Sequence, residues 1–161
     1  MCYHFAMAHI HEKIDFTASV HVVRDGKVLL HKHKKLGIWL PPGGHIELDE
    51  DPNTAVVREA KEETGLEIEL IGEAKTYSDS AFSARDLVVP RFLNRHFSDA
   101  SCTHEHVDCV YFGRAKDGEV RPEEEGGEVR WFTKEDIENP KLDILPDIRA
   151  HALAALEELA E

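Results

Sequence analysis

Residues Gly44–Leu66 read GHIELDEDPNTAVVREAKEETGL, and both the fold and the chemistry of this 161-residue chain turn on them. The segment Asp51-Pro52 through Thr64, closed by Gly65, carries the marks of a short helix. Asp51 offers an N-cap acceptor, Pro52 is preset for the first turn, and Gly65 can take the left-handed conformation that ends the last one. Within that helix Glu59, Glu62 and Glu63 fall at i, i+3 and i+4, so their carboxylates project within an arc of about 100°. Ala55, one turn earlier on the same stripe, leaves room beside them, while Val56, Val57, Ala60 and Thr64 supply the packing face.

Crowding three acids costs roughly 0.2–0.5 kcal/mol per like-charged pair, and carboxylates near a helix C-terminus oppose its dipole. Lys61 points to the far side, and Arg58, at i−4 from Glu62, pairs with only part of the cluster. A divalent cation, which prefers hard carboxylate oxygens, is the natural remaining counter-charge. An acidic run by itself is ordinarily a solvated face. Its setting reverses that weighting: Gly44-x5-Glu50-x7-Arg58-Glu59-Ala60-x-Glu62-Glu63-x-Gly65-Leu66 resembles the signature of the Nudix hydrolase family at every specified position.

The resemblance implies an α/β/α sandwich around a mixed β-sheet, with the motif as loop, helix and loop. It also implies cleavage of nucleoside diphosphates linked to a further group, with Mg²⁺ or Mn²⁺ as cofactor and a homodimer as the assembly. Carried onto this chain, Glu59, Glu62 and Glu63 ligate the metals with the backbone carbonyl of Gly43, and Gly44 lets the loop turn close to them. Arg58 orients the carboxylates, Glu50 braces loop to helix, and Ala60 and Leu66 pack. The catalytic set is therefore Glu59, Glu62 and Arg58. Glu59, at the centre of the stripe, is the first choice to take the proton of an attacking water, with Glu105, Glu125 and Glu128 as open alternatives. Two other readings share the fold. A non-catalytic nucleotide-binding regulatory module would usually lack a motif glutamate, and none is missing. An isomerase of isoprenoid diphosphates would need a cysteine opposite the acids, for which only Cys109 or Cys102 is available.

Outward from the motif, Phe16–Val23 and Lys27–His33 are β-rich runs flanking the turn Arg24-Asp25-Gly26, a hairpin pattern. Trp39–Gly44, reading WLPPGG, predicts a loop or strand end. The alternation in residues 66–77 predicts one half-buried strand, and Arg91–Phe97, His106–Ala115 and Glu128–Phe132 predict three more. Thr133 with Asp136 forms a capping box for a short helix, and Pro146–Leu159 reads as an amphipathic helix. Hairpin-paired strands with one helix in the middle and one at the end indicate an α+β sandwich. The expected organisation is a single domain over 1–161, with an N-terminal extension at 1–14, the motif at 44–66 and the last helix at 146–159.

A net charge of −13 argues against sequence-independent binding to a nucleic-acid backbone, which needs many Lys and Arg. A small anionic substrate then requires metal or a local basic patch. The run Arg24, Lys27, His31, Lys32, His33, Lys34, Lys35 leads directly into the motif and is such a patch. Cys2, Cys102 and Cys109 form no CxxC pair, which suits a reducing, cytoplasmic compartment. No apolar run approaches the roughly 20 residues that span a bilayer, and the first residues lack the layout of an export signal. Three pairs, His9-x-His11, His31-x-His33 and His104-x-His106, place two imidazoles on one face of a strand, where surface or edge positions are the ordinary reading and no second metal site is assigned. Trp39, Trp131, Tyr77, Phe82 and Tyr111 could stack on a base, although aromatics are more often core.

Overall fold

In the computed structural model, which describes residues 13–77, 84–98 and 101–160, the chain runs up β1 (Ile14–Arg24) and returns as β2 (Lys27–Lys32). Asp25 and Gly26 between them have φ of 51° and 66°, the two left-handed conformations that a tight type I′ hairpin demands. Then come β3 (Trp39–Leu40), β4 (Gly43–His45), α1 (Pro52–Thr64), β5 (Ile68–Leu70), β6 (Thr76–Tyr77) and β7 (Ala84–Arg85). The chain continues through β8 (Phe92–Phe97), β9 (Glu105–Ala115), β10 (Val129–Phe132), α2 (Lys134–Glu138) and α3 (Pro146–Glu158).

The main sheet runs β10-β2-β1-β9-β5, with β3 beside β2, β4 beside β1 and β8 beside β9. Its spine is parallel: β1 and β9 pair from Ile14 with Glu105 to Val23 with Arg114. The remaining pairings described in this sheet are antiparallel, so the sheet is mixed. One edge of β1 serves two partners, β4 over Thr17–Ser19 and β2 over Val22–Arg24. Between them the Val20 N–H donates to the Pro42 carbonyl at 2.9 Å. This fork carries the motif loop into the middle of the sheet instead of its rim.

Alternation along β1 sorts the two faces. Ala18, Val20 and Val22 pack with Leu29 and Tyr111 beneath Val56 and Ala60 of α1 and Leu66 just beyond it. Val23, Val28, Leu30 and Phe112 pack with Ile137 of α2 and Ile148, Ala152, Ala155 and Leu156 of α3. Each of the valine, leucine and isoleucine side chains among them contributes about 1.5–3 kcal/mol on full burial. A helix on each face of a mixed sheet makes the α/β/α sandwich that the motif implied.

Three local expectations change. Ala55 is fully buried and Val57 is 37% exposed, so the packing stripe of α1 is Ala55, Val56, Ala60 and Thr64, rotated from the one read off the sequence. The strand expected over 66–77 stops at Leu70, and Thr76–Tyr77 pairs with Ala84–Arg85 in a separate ribbon. Gly72, with φ of 148° and no room for a Cβ, which would lie 2.7 Å from Val88 Cγ1, breaks the run. Within residues 39–44, the expected loop or strand end is two short strands, β3 and β4, on either side of Pro41 and Pro42. No helix among the described residues is long and apolar enough to cross a membrane. His9, His11 and Phe82 lie outside the described residues, as does most of the 1–14 extension.

Candidate active site

The motif helix is held at both ends by its own sequence. The Asp51 carboxylate accepts from the Thr54 N–H at 2.9 Å, and Gly65, at φ 73°, donates its N–H to the Lys61 carbonyl at 2.8 Å. Burial of Val56 and Ala60 against β1 then fixes the rotation of the helix, which turns Glu59 and Glu63 toward β4.

Arg58 is the hub of the acidic face. Its Nε and Nη2 donate to the two oxygens of Glu50 at 2.7 and 2.9 Å, a bidentate fork across the motif loop. Its Nη1 reaches Glu59 at 2.8 Å and Glu62 at 3.0 Å, and Nη2 also reaches the His45 carbonyl at 3.2 Å. One guanidinium thus ties loop, helix and β4 together while reaching Glu59 and Glu62, the part of the acidic cluster that its place on the helix allows. The Glu50 hydrogen bonds and the charges around it raise the Arg58 pKa further, and the same bonds lower that of Glu50.

Glu63 faces the sheet. It accepts from the Gly43 N–H at 2.9 Å and lies 3.6 Å from His31 Nε2. Burial pushes its carboxyl up to about 8, with the Gly43 hydrogen bond working against the shift and Glu59, Glu123 and Glu62 adding to it. Burial also raises Glu59, partly offset by Arg58. Burial and then His33 bring His31 down to about 4, so it is a neutral imidazole at pH 7. The β4 backbone comes close beneath the acids: a Cβ on Gly44 would sit 2.5 Å from Glu59 Oε1, and one on Gly43 would sit 2.5 Å from the Ala18 carbonyl.

An open groove adjoins Glu63. His31–Lys35 line one side of it, and Glu123, Glu124 and Glu128 are among the residues on the other. Lys32 pairs with Glu128 at 3.2 Å, and Lys34 pairs with Glu124. The rest of the basic run is elsewhere: Arg24 lies over the Trp131 ring at 4.6 Å and bonds the carbonyls of Lys116 and Gly118. Of the alternative bases, Glu128 lines the groove, Glu125 is exposed, and Glu105 is engaged by Arg95. Trp39 and Tyr111 are core residues, at 7% and 2% exposure. The histidine pairs depart from the surface reading, since the side chains of His31 and His104 are only 16% and 12% exposed. Long-range packing of the motif loop and of β1 against β9 covers them, and neither is visible in a local pattern.

Over residues 15–156 the chain matches the NUDIX domain. It belongs to the NUDIX family. A NUDIX-family hydrolase from Clostridium perfringens superposes on the chain with a TM-score of 0.76 at 35% identity, covering 90% of this chain and 97% of that one. CTP pyrophosphohydrolase of Escherichia coli K12 is 31% identical over 102 residues, 61% of this chain and 74% of that protein. A MutT-like protein of Streptomyces ambofaciens is 47% identical over 53 residues, so the match spans 33% of this chain and 34% of that relative. Divalent metal dependence is general in the NUDIX family, and the acidic face of α1 provides the oxygen-rich, partly buried donor set that such an ion takes.

Proposed function

We propose that the chain is a metal-dependent pyrophosphohydrolase that cleaves a phosphoric anhydride bond in a nucleoside diphosphate carrying a further group. A nucleotide sugar, a dinucleotide or a nucleoside triphosphate meets that description. The observation that carries the reading is the placement of Glu59 and Glu63 against the Gly43-Gly44 backbone, with Arg58 holding Glu59 and Glu62 to the loop. The acids are desolvated on the side facing the sheet, which is costly unless a cation joins them in the working enzyme.

Glu59, Glu62 and Glu63 would hold Mg²⁺ or Mn²⁺, helped by the Gly43 carbonyl, and the ion would screen the diphosphate oxygens and lower the pKa of water. Arg58 positions the carboxylates and does not touch the reacting atoms. Glu59 accepts the proton of the attacking water. Lys32, Lys34 and Lys35 along the groove are the cations a polyphosphate would meet, Lys32 and Lys34 exchanging Glu128 and Glu124 for phosphate oxygens. Solubility in a reducing cytoplasm fits the free thiols of Cys102 and Cys109, and a homodimer is the assembly that the family resemblance implies.

The test is a product assay with Mg²⁺ or Mn²⁺ over ADP-ribose, NADH, nucleoside triphosphates including CTP, and diadenosine polyphosphates. Turnover of a panel member with release of a nucleoside monophosphate supports the reading. Binding of panel members without turnover would favour the regulatory module instead.

A further inference from the structure

The face of the sheet that carries α3 is polar at the start of β1 and β9. Parallel register makes Asp15 the direct neighbour of His106, and places Thr17 beside Asp108. From the flanking strands, His45 stands opposite Thr17 and His96 opposite His106. Thr17 and Ser19 donate to Asp108 at 2.8 and 2.6 Å, forming a hydrogen-bonded row behind the histidines.

In front of that row, Asp15, only 1% exposed, meets His104 Nε2 at 2.9 Å and His45 Nε2 at 3.4 Å, both on the same carboxylate oxygen. The His106 ring packs edge-on against His45, His96 and His104, with centroids 5.0, 5.5 and 5.7 Å away. One ligand atom from each of Asp15, His104 and His106 lies within 4.8 Å of the others. Tetrahedral zinc, with bonds of about 2.0–2.2 Å, needs ligand atoms roughly 3.3 Å apart; His104 Nε2 is already within that distance of Asp15, and the wider separations would have to close by side-chain rotation.

We propose that Asp15, His104 and His106, with His45 beside them as a further imidazole donor, bind one transition-metal ion of the Zn²⁺ class at a site separate from the acidic helix. Two imidazoles and a carboxylate form a borderline nitrogen and oxygen donor set, which favours zinc over the hard, oxygen-seeking Mg²⁺. The ion would clamp β1 to β9. Through His45, whose carbonyl accepts from Arg58, it would also steady β4, which bears Gly43 and Gly44.

The full chain, stripped of metal by a chelator, is titrated with Zn²⁺ against a chromophoric competitor in millimolar Mg²⁺. Imidazole nitrogen resonances are followed in parallel by NMR. The expected result is about one equivalent of Zn²⁺ bound, with the His104 and His106 nitrogens shifted and those of buried His21 unmoved. His104→Ala and His106→Ala should each weaken binding at least tenfold, and Glu62→Gln should leave it unchanged. Unshifted His104 and His106 resonances in the wild-type protein would overturn the proposal and leave a purely hydrogen-bonded cluster. Zinc binding abolished by Glu62→Gln but retained in the histidine variants would overturn it equally.

Discussion

Gly44 lies so close beneath Glu59 that a Cβ at this position would meet the carboxylate at 2.5 Å, whereas a Cβ on Gly43 would meet the backbone of Ala18 and Ser19 at 2.5 and 2.6 Å. φ is not positive at either glycine, so room and not backbone freedom is what they provide. The two alanine variants should therefore part. Gly44→Ala displaces the flexible end of Glu59, and it should lower turnover severely while costing less than about 1 kcal/mol of stability. Gly43→Ala meets a rigid strand and should cost about 1–3 kcal/mol, as overpacking does. Thermal unfolding and steady-state kinetics on both proteins check the split, and equal losses of stability would contradict it.

Arg58 and Glu50 form a two-bond fork at 2.7 and 2.9 Å, with side-chain exposures of 25% and 12%. Arg58→Lys keeps the charge and loses the fork, so it should destabilise by about 1–3 kcal/mol. Glu50→Gln should do nearly the same, and the double variant should fall well short of the sum because both remove one interaction. A double-mutant cycle by denaturant unfolding measures the coupling; strict additivity would mean that the fork does not brace the loop.

As a proposed metal ligand, the Glu63 carboxyl, raised to about 8 by burial, would link metal binding to pH. Its folded pKa lies above the unfolded value of 4.5, so in the metal-free protein it contributes stability below about pH 4.5 that is lost as pH rises through 8. A cation binds only the ionised form. Mn²⁺ affinity should thus increase about tenfold per pH unit from pH 6 toward 8 and then level off, with proton release seen by calorimetry in buffers of different ionisation enthalpy. A flat profile between pH 6 and 8 would contradict the assignment. Glu63→Gln should flatten it.

His21 is fully buried between Phe112 and His151, and neither ring nitrogen has a hydrogen-bond partner among the described residues. Burial, and then His151, lower it to about 3 from 6.5. The unfolded chain takes up a proton below about pH 6.5 that the folded chain refuses, so stability falls as pH drops from there toward 3. His21→Leu removes the desolvated nitrogens. It should stabilise by about 1 kcal/mol at pH 7 and by more at pH 5, read as a pH-dependent rise in Tm.

The motif made α1, its caps and the sandwich legible, because Asp51, Pro52 and Gly65 act through local backbone chemistry and the acids through a fixed helical spacing. What a linear pattern does not carry is the contact of β1 with β9, distant in sequence and parallel. That pairing brings Asp15 to His106, and a reading of His104-x-His106 as one strand's exposed pair had no means of supplying the carboxylate from another strand. Arg58 illustrates the same limit at short range. Spacing along the helix showed its reach to Glu62, but the fork to Glu50 and the bond to His45 depend on the loop folding back over the helix.

Glu62 and Glu63 are proposed to hold the ion needed for anhydride hydrolysis, and turnover by the Glu62→Gln and Glu63→Gln proteins at saturating Mg²⁺ tests that role. With a substrate identified from the nucleotide panel, both variants should retain the wild-type fold by circular dichroism and lose at least a hundredfold in kcat, about 2.7 kcal/mol of transition-state stabilisation. Near-normal rates in both would place the reaction away from the acidic face of α1.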